Sequence, residues 1–278
     1  GRHLKLIVEN LENFPTYIVF NKSYPSVAKM SFPMRDLFSL SDVLRAVSLT
    51  KLLQKGFMMF HGALVKAEED VVAIFGFPDT GKTFTAITLS RKYGFPIYSD
   101  DIFYSDGRIA IGESPTHIYV GGAEKSLVNR IRLFFLPLAS FLRYASYIPY
   151  IPENLRKISD RIMYIPINVK NVDVAQGTVN PNIIVILEKG STTLVQLDVE
   201  EAMKKIFHIV KRETYFWDNN YILNAYSYFN NNFSIETLTQ TRIQIIRKFV
   251  ENRPSYLVRA QSPLDYPEII LKILRKIP

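Results

Sequence analysis

The chain has no cysteine. Disulfides, thiolate nucleophiles and cysteine–zinc sites are excluded together. Four histidines, scattered through 278 residues, are too few for a structural zinc site. Acidic residues are the minority charge, 26 Asp and Glu against 34 Lys and Arg, for a formal net charge of +8. The apolar run Leu133 to Leu142 is too short to span a bilayer, and Arg130, Arg132 and Arg143 flank it. No internal repeat, coiled coil or low-complexity linker interrupts the chain. The opening Gly-Arg-His-Leu-Lys does not begin a signal peptide, and the expected location is cytoplasmic.

What is present is a core-forming composition. Apolar residues make up 47% of the chain, which excludes a disordered class and suffices for a sizeable core. The excess of positive charge suits solubility and a basic cleft for a polyanionic nucleotide. Nucleic-acid binding is the sharper reading of the same charge, but the concentrated patches it needs are missing.

The most informative stretch is Val71 to Asp101. An apolar run, Val71 to Phe75, leads into Gly76-Phe77-Pro78-Asp79-Thr80-Gly81-Lys82-Thr83. This matches G-x-x-x-x-G-K-[ST], the phosphate-binding loop pattern. Gly76 and Gly81 let the backbone approach a phosphate, and loop N–H groups with a following helix N-terminus point at the anion. Lys82 is positioned for β- and γ-phosphates, and the Thr83 hydroxyl for Mg²⁺. Pro78 lacks an N–H, so one donor is missing there. A helix is predicted to about Tyr93, closed by Gly94.

A short strand from Phe95 to Ser99 ends in Asp100-Asp101. Beside a phosphate loop, such a pair suits two tasks: one carboxylate holds Mg²⁺, the other accepts a proton from an attacking hydroxyl. Upstream, Phe57 to Val65 reads as a strand containing His61-Gly62, with a turn at Glu68-Glu69-Asp70. The loop strand is therefore the second arm of a hairpin.

The order FHGALV, FGFPDTGKT, YSDD resembles the HPr kinase/phosphorylase family, which is related in fold to the phosphoenolpyruvate carboxykinases. The resemblance covers about Phe57 to Tyr104, and more loosely the C-terminal half. It implies an α/β fold with a mixed sheet and ATP and Mg²⁺ as ligands. By resemblance, the loop residues Gly76 to Thr83 and His61 bind the nucleotide, Thr83 and Asp101 the metal, and Asp100 is the general base. The family is often hexameric, which implies a homo-oligomer. The chain has no counterpart to the glutamate-bearing segment that follows the Asp-Asp pair in the bacterial enzymes. Its N-terminal region does not read as their first domain. The protein substrate HPr is accordingly not carried over.

Taken in order, residues 4–9 and 16–20 read as strands around a turn at Asn13-Phe14-Pro15. Ser41 is the expected N-cap of a helix from Asp42 to about Lys55, ended by Gly56. Ile102 to Ser114 reads as a hairpin with a two-residue turn at Asp106-Gly107. Thr116 to Val120 follows as a strand, then the glycine pair Gly121-Gly122. Residues 124–148 are helical by composition, interrupted at Pro137. A buried helix pair, a lid or partner-binding face, and a monotopic membrane contact all fit this segment. Arg130, Arg132, Arg143, Arg156 and Arg161 are candidate phosphate contacts. Met163–Val169, Ile183–Leu187 and Thr193–Leu197 read as strands. Asp198 caps a helix to about Val210, and helices are expected over 218–251. A strand over Tyr256–Ala260 and a helix over Pro267–Ile277 close the pattern. Residues 1–56 are expected as a small extension packed on one α/β domain, 57–278, with a helical insertion over about 124–160.

Two functional classes follow. The first is an ATP-dependent phosphotransferase moving the γ-phosphate to a hydroxyl of a protein serine or a small molecule. The second is a nucleotide-binding switch with weak or absent transfer. The doubled carboxylate favours the enzyme, because a pure binder needs a metal ligand but no base.

Overall fold

A computed structural model describes residues 6–21, 40–113, 117–119, 134–135, 137–139, 154–166 and 172–275. Gly121-Gly122, most of 124–148, and the side chains of Arg130, Arg132, Arg143, Arg156 and Arg161 lie outside the described residues. In chain order the first elements are β1 (Leu6–Glu9), β2 (Tyr17–Phe20), α1 (Leu40–Gln54), β3 (Met58–Ala67), β4 (Asp70–Gly76) and α2 (Lys82–Tyr93). Then come β5 (Ile97–Ser99), β6 (Ile102–Ser105), β7 (Ala110–Gly112), β8 (His117–Tyr119), α3 (Asn154–Met163), β9 (Tyr164–Pro166) and β10 (Thr178–Val179). The last part holds β11 (Ile183–Lys189), β12 (Thr193–Leu197), α4 (Val199–Glu213), α5 (Tyr215–Asp218), α6 (Tyr221–Phe229), α7 (Ile235–Val250), β13 (Ser255–Ala260) and α8 (Tyr266–Leu274).

The chain divides into two compact units: residues 1–55, 134–163 and 214–241, and residues 56–133, 164–213 and 242–278. In the first, β1 and β2 form an antiparallel hairpin with Leu6 opposite Phe20. Buried Leu11 anchors the turn: its carbonyl accepts from Lys51 Nζ (2.6 Å) and Gln54 Nε2 (2.9 Å), and its N–H donates to the Tyr226 hydroxyl (3.1 Å). The indole of fully buried Trp217 donates to Thr50 Oγ1 at 3.0 Å, which satisfies its one polar atom inside the core.

The second unit is built on a nine-stranded mixed sheet, in the order β10-β7-β6-β3-β4-β11-β13-β12, with β5 also paired to β3. β3 and β4 are antiparallel and turn at Glu68-Glu69, so the loop strand is fed from a hairpin. β4, β11 and β13 run parallel, which carries the ends of all three to one edge of the sheet. These strands are almost wholly apolar because both faces are covered. Val72 and Ile74, with Val185 and Leu187, meet Ala86 and Leu89 of α2 and Ile270 and Ile273 of α8. Phe75 alternates to the opposite face. There Phe60, Phe75, Phe103 and Phe249 form a ring cluster with centroid separations of 4.8 to 6.0 Å. α4 lies against β3, β4 and β13, burying Ala202, Met203, Ile206, Ile209 and Val210.

Three local expectations need correction. α1 begins at Leu40, so Ser41 lies within its first turn instead of preceding it. The β6–β7 connection is four residues, Asp106 to Ile109, because Ser105 pairs with Ala110. Asp106 Oδ1 accepts from the N–H groups of Arg108 (2.8 Å) and Ile109 (2.9 Å), a side-chain turn that a two-residue loop has no room for. Met163 ends helix α3 instead of opening a strand, and pairing starts at Tyr164.

At the far end of the strands, Arg253 is spent on backbone. It donates to the carbonyls of Gly107 (2.9 Å), Arg108 (2.7 Å), Pro181 and Phe249. The hollow beside it, about 490 Å³, is thus bordered by a guanidinium already occupied in holding loops together.

Candidate functional site

The loop Gly76 to Thr83 leaves the carboxyl end of β4 and enters α2. Gly81 adopts φ +103°, and a Cβ there would stand 2.8 Å from Pro263 Cβ, so both conformation and space demand glycine. The Thr80 hydroxyl donates to the Phe77 carbonyl at 2.7 Å and folds the loop on itself. Phe77, Pro78 and Asp79 are exposed, whereas Thr80 and Lys82 are buried.

Lys82 is 5% exposed, and carbonyl oxygens hold its ammonium: Gly76 O at 2.7 Å and Phe77 O at 3.2 Å. Burial pulls its pKa down to about 8, against the opposing pull of Asp101, Glu213 and Asp79. A buried cation resting on neutral oxygens is under-compensated, and an arriving anion supplies what it lacks.

The carboxylate corner is tied to the His61 strand. The Ser99 hydroxyl donates to the carbonyls of Ile102 (2.6 Å) and Gly62 (3.3 Å), and the Gly62 N–H donates to Asp101 O at 2.8 Å. Gly62 fits only without a side chain: a Cβ would meet Ile74 O at 2.9 Å, Phe103 at 3.1 Å and Phe75 at 3.2 Å. That close approach sets His61 beside the corner. Its Nδ1 lies 3.1 Å from Asp101 Oδ1.

Burial, and then the nearby Lys82 charge, lower His61 to about 4, with Asp101 pulling the other way. The imidazole is neutral at pH 7, with Nδ1 close to the carboxylate. Its Nε2 is buried with no hydrogen-bond partner among the described residues. Asp100 is displaced in the other direction: burial first, then the charges of Asp101 and Glu113, push its carboxyl up to about 7. The Thr83 hydroxyl faces the Asp100 carbonyl at 3.4 Å, and the Asp101 side chain is 60% exposed.

Thus the side chains of His61, Lys82 and Asp101 come together at one edge of the sheet, with the Thr83 hydroxyl at the Asp100 backbone carbonyl and the Asp100 carboxyl beside Asp101. Sequence reading missed Glu113, just past β7, and Glu213, the last residue of α4, both of which act electrostatically on this group. Neither stands in a motif, and only strand pairing and helix packing bring them near. The group suits a Mg-nucleotide on its own chemistry: a buried cation with no ion-pair contact among the described residues, an orphaned imidazole nitrogen, a hydroxyl and an open carboxylate. Among the described residues no set of three or more His, Asp or Glu side chains would hold a metal alone. Mg²⁺ needs one or two protein ligands when phosphate oxygens and waters complete its shell.

No family model matches the chain, and none of the curated proteins matches it in sequence. Among solved structures it is similar to the HPr(Ser) kinase/phosphatase from Coxiella burnetii, at 9% identity and a TM-score of 0.34, over 79% of this chain and 95% of that one. The likeness is distant. No helix among the described residues is long and apolar enough to cross a membrane.

Proposed function

We propose that the chain is a nucleoside-triphosphate-dependent phosphotransferase that moves a γ-phosphate to a hydroxyl, on a protein serine or a small molecule. The observation that carries this reading is a buried, carbonyl-held Lys82 whose neighbour Thr83 faces the Asp100 backbone, together with an Asp100 carboxyl raised to about 7. A binder has use for the first alone. A general base works best with a pKa near the working pH, and Asp100 is tuned there.

In this reading Lys82 leaves the Gly76 and Phe77 carbonyls for phosphate oxygens, whose negative charge raises its pKa again. Asp100 takes the proton of the attacking hydroxyl at a carboxylate oxygen. Asp101, held by His61, and Thr83 would hold Mg²⁺, which supplies charge neutralisation on the phosphates when bound. The new oxygen–phosphorus bond forms as the bond to the β-phosphate oxygen breaks, and the nucleoside diphosphate leaves with that electron pair. Loop N–H groups and the α2 N-terminus face the phosphates.

The test is the pH profile of ADP release or acceptor phosphorylation from MgATP. Activity should rise through about pH 7 as Asp100 loses its proton, and the Asp100→Asn variant should lose that inflection. If neither Asp100→Asn nor Asp101→Asn alters transfer or hydrolysis while both weaken metal binding alike, the group is two metal ligands without a base. The chain is then a nucleotide-binding switch.

A further inference from the structure

A cleft of about 340 Å³ opens on the other side of the loop strand from the carboxylates. Its exposed apolar wall is Phe77, the first residue after Gly76; Ile186 and Leu187 of β11 and Ile209 of α4 border it but are buried in the core. Its polar groups are Glu188, Lys205 and His208. Phe77 is 37% exposed, and the Arg212 guanidinium stands 5.6 Å from its ring centroid, covering it with a cation–π contact. Glu188 already accepts from Lys205 at 2.5 Å and from Arg259 at 3.0 Å. The carboxylate is fixed in place, with lone pairs remaining for a ligand's N–H or O–H groups. A concave apolar slot with a few placed polar groups is the usual form of a small-molecule site.

Topology decides which molecule. Asp100 and Asp101 follow β5, which pairs with β3; β4 lies on the other side of β3, and β11 beyond β4. Three strand spacings, roughly 14 Å, separate the carboxylate flank from the β11 flank, with the loop between them. An acceptor hydroxyl must touch Asp100 and so belongs on the first flank. The second flank is left for the far end of the same nucleotide. The alternative room beside the loop is closed where Pro263 packs on Gly81.

We infer that this cleft binds the nucleoside of the triphosphate, its base against Phe77 and its sugar hydroxyls or base N–H groups on Glu188. The inference rests on the triphosphate reading of the Gly76–Thr83 loop. The experiment compares Mg-tripolyphosphate with MgATP by titration calorimetry on the full chain. The wild type should bind both, ATP at least about tenfold more tightly. His208→Trp, placing a large ring at the exposed rim, should bring ATP down to the tripolyphosphate level and leave tripolyphosphate unchanged. Photolabelling with 8-azido-ATP, which does not depend on a variant folding, should mark peptides of β11 or α4. Equal wild-type affinities, equal losses of both ligands in the variant, or label confined to the Pro263 side would each overturn the inference. So would a variant that binds ATP normally and loses only transfer, since the cleft would then be the acceptor's. Failure of tripolyphosphate to bind at all would instead remove the loop reading on which the inference stands.

Discussion

On the β3–β5 flank of the loop, charged and polar groups are buried with too few partners. On the β11–α4 flank, they are paired and the space between them is apolar. His61 has a bare nitrogen, Lys82 rests on carbonyls, and Asp100 is held near neutrality. Across β4, Glu188 is satisfied twice over: burial alone would raise its pKa, but bonds from Lys205 and Arg259 outweigh that and hold it below the usual range. Frustrated groups change state when a ligand arrives, so the first flank is suited to chemistry. Satisfied groups offer fixed shape, so the second is suited to recognition.

Substitutions can break this division. Asp100→Asn should lower transfer about 10²- to 10⁴-fold while MgATP binding stays near normal. It should also raise thermal stability at pH 8. The folded pKa of Asp100 is above its unfolded value, so the wild type loses stability as pH rises from about 4 to about 7. The gain in the variant should fade below pH about 4, and an equal gain at all pH values would mean that the carboxyl is not raised. Lys82→Ala should weaken ATP about 10- to 100-fold, read by thermal-shift titration. Unchanged ATP stabilisation would remove the loop assignment and, with it, any meaning of the two flanks.

Asp101→Asn should reduce nucleotide affinity several-fold in Mg²⁺ and far less in EDTA, which separates metal holding from proton transfer. Gly62→Ala should cost about 1–3 kcal/mol in urea unfolding, because the added methyl meets Ile74 O and two phenylalanine rings. A neutral result would show that His61 is not held by that close approach. The smallest signal is His61 itself: its NMR titration midpoint, about 4 in the free chain, should move up when ATP binds, because phosphate charge favours the imidazolium. A midpoint unmoved by ATP would place the phosphates away from Nε2.

Much of this was legible in the residues. The hairpin feeding the loop follows from the apolar runs on either side of Glu68-Glu69. Gly94 closes α2 with φ +71° and an N–H bonded to Ser90 O, as a C-terminal glycine should. Asp198 and Glu201 exchange backbone N–H bonds at the start of α4, a reciprocal cap written in the spacing D-x-x-E. Ser234 likewise accepts from the Thr237 N–H ahead of α7. Less local features were misread. The Asp106-Gly107 pair gave the right place for a turn and the wrong length, because strand pairing sets the loop's ends. Met163 is itself a good helix former, and the amphipathic pattern before it keeps the residue in α3, ahead of the strand-forming Tyr164-Ile165.

The sequence by itself determined the loop, the helix behind it and the carboxylate pair after the next strand. Their effects act within a few residues, through glycine conformation, capping and hydrophobic period. Only the tertiary structure decided which groups share a dielectric environment. It set Asp101 beside His61, Glu113 beside Asp100, Glu213 near Lys82 and Glu188 between Lys205 and Arg259. Those neighbours come from strands and helices far apart in the chain. A pKa depends on burial and on charges through space, so proximity along the sequence carries no information about either.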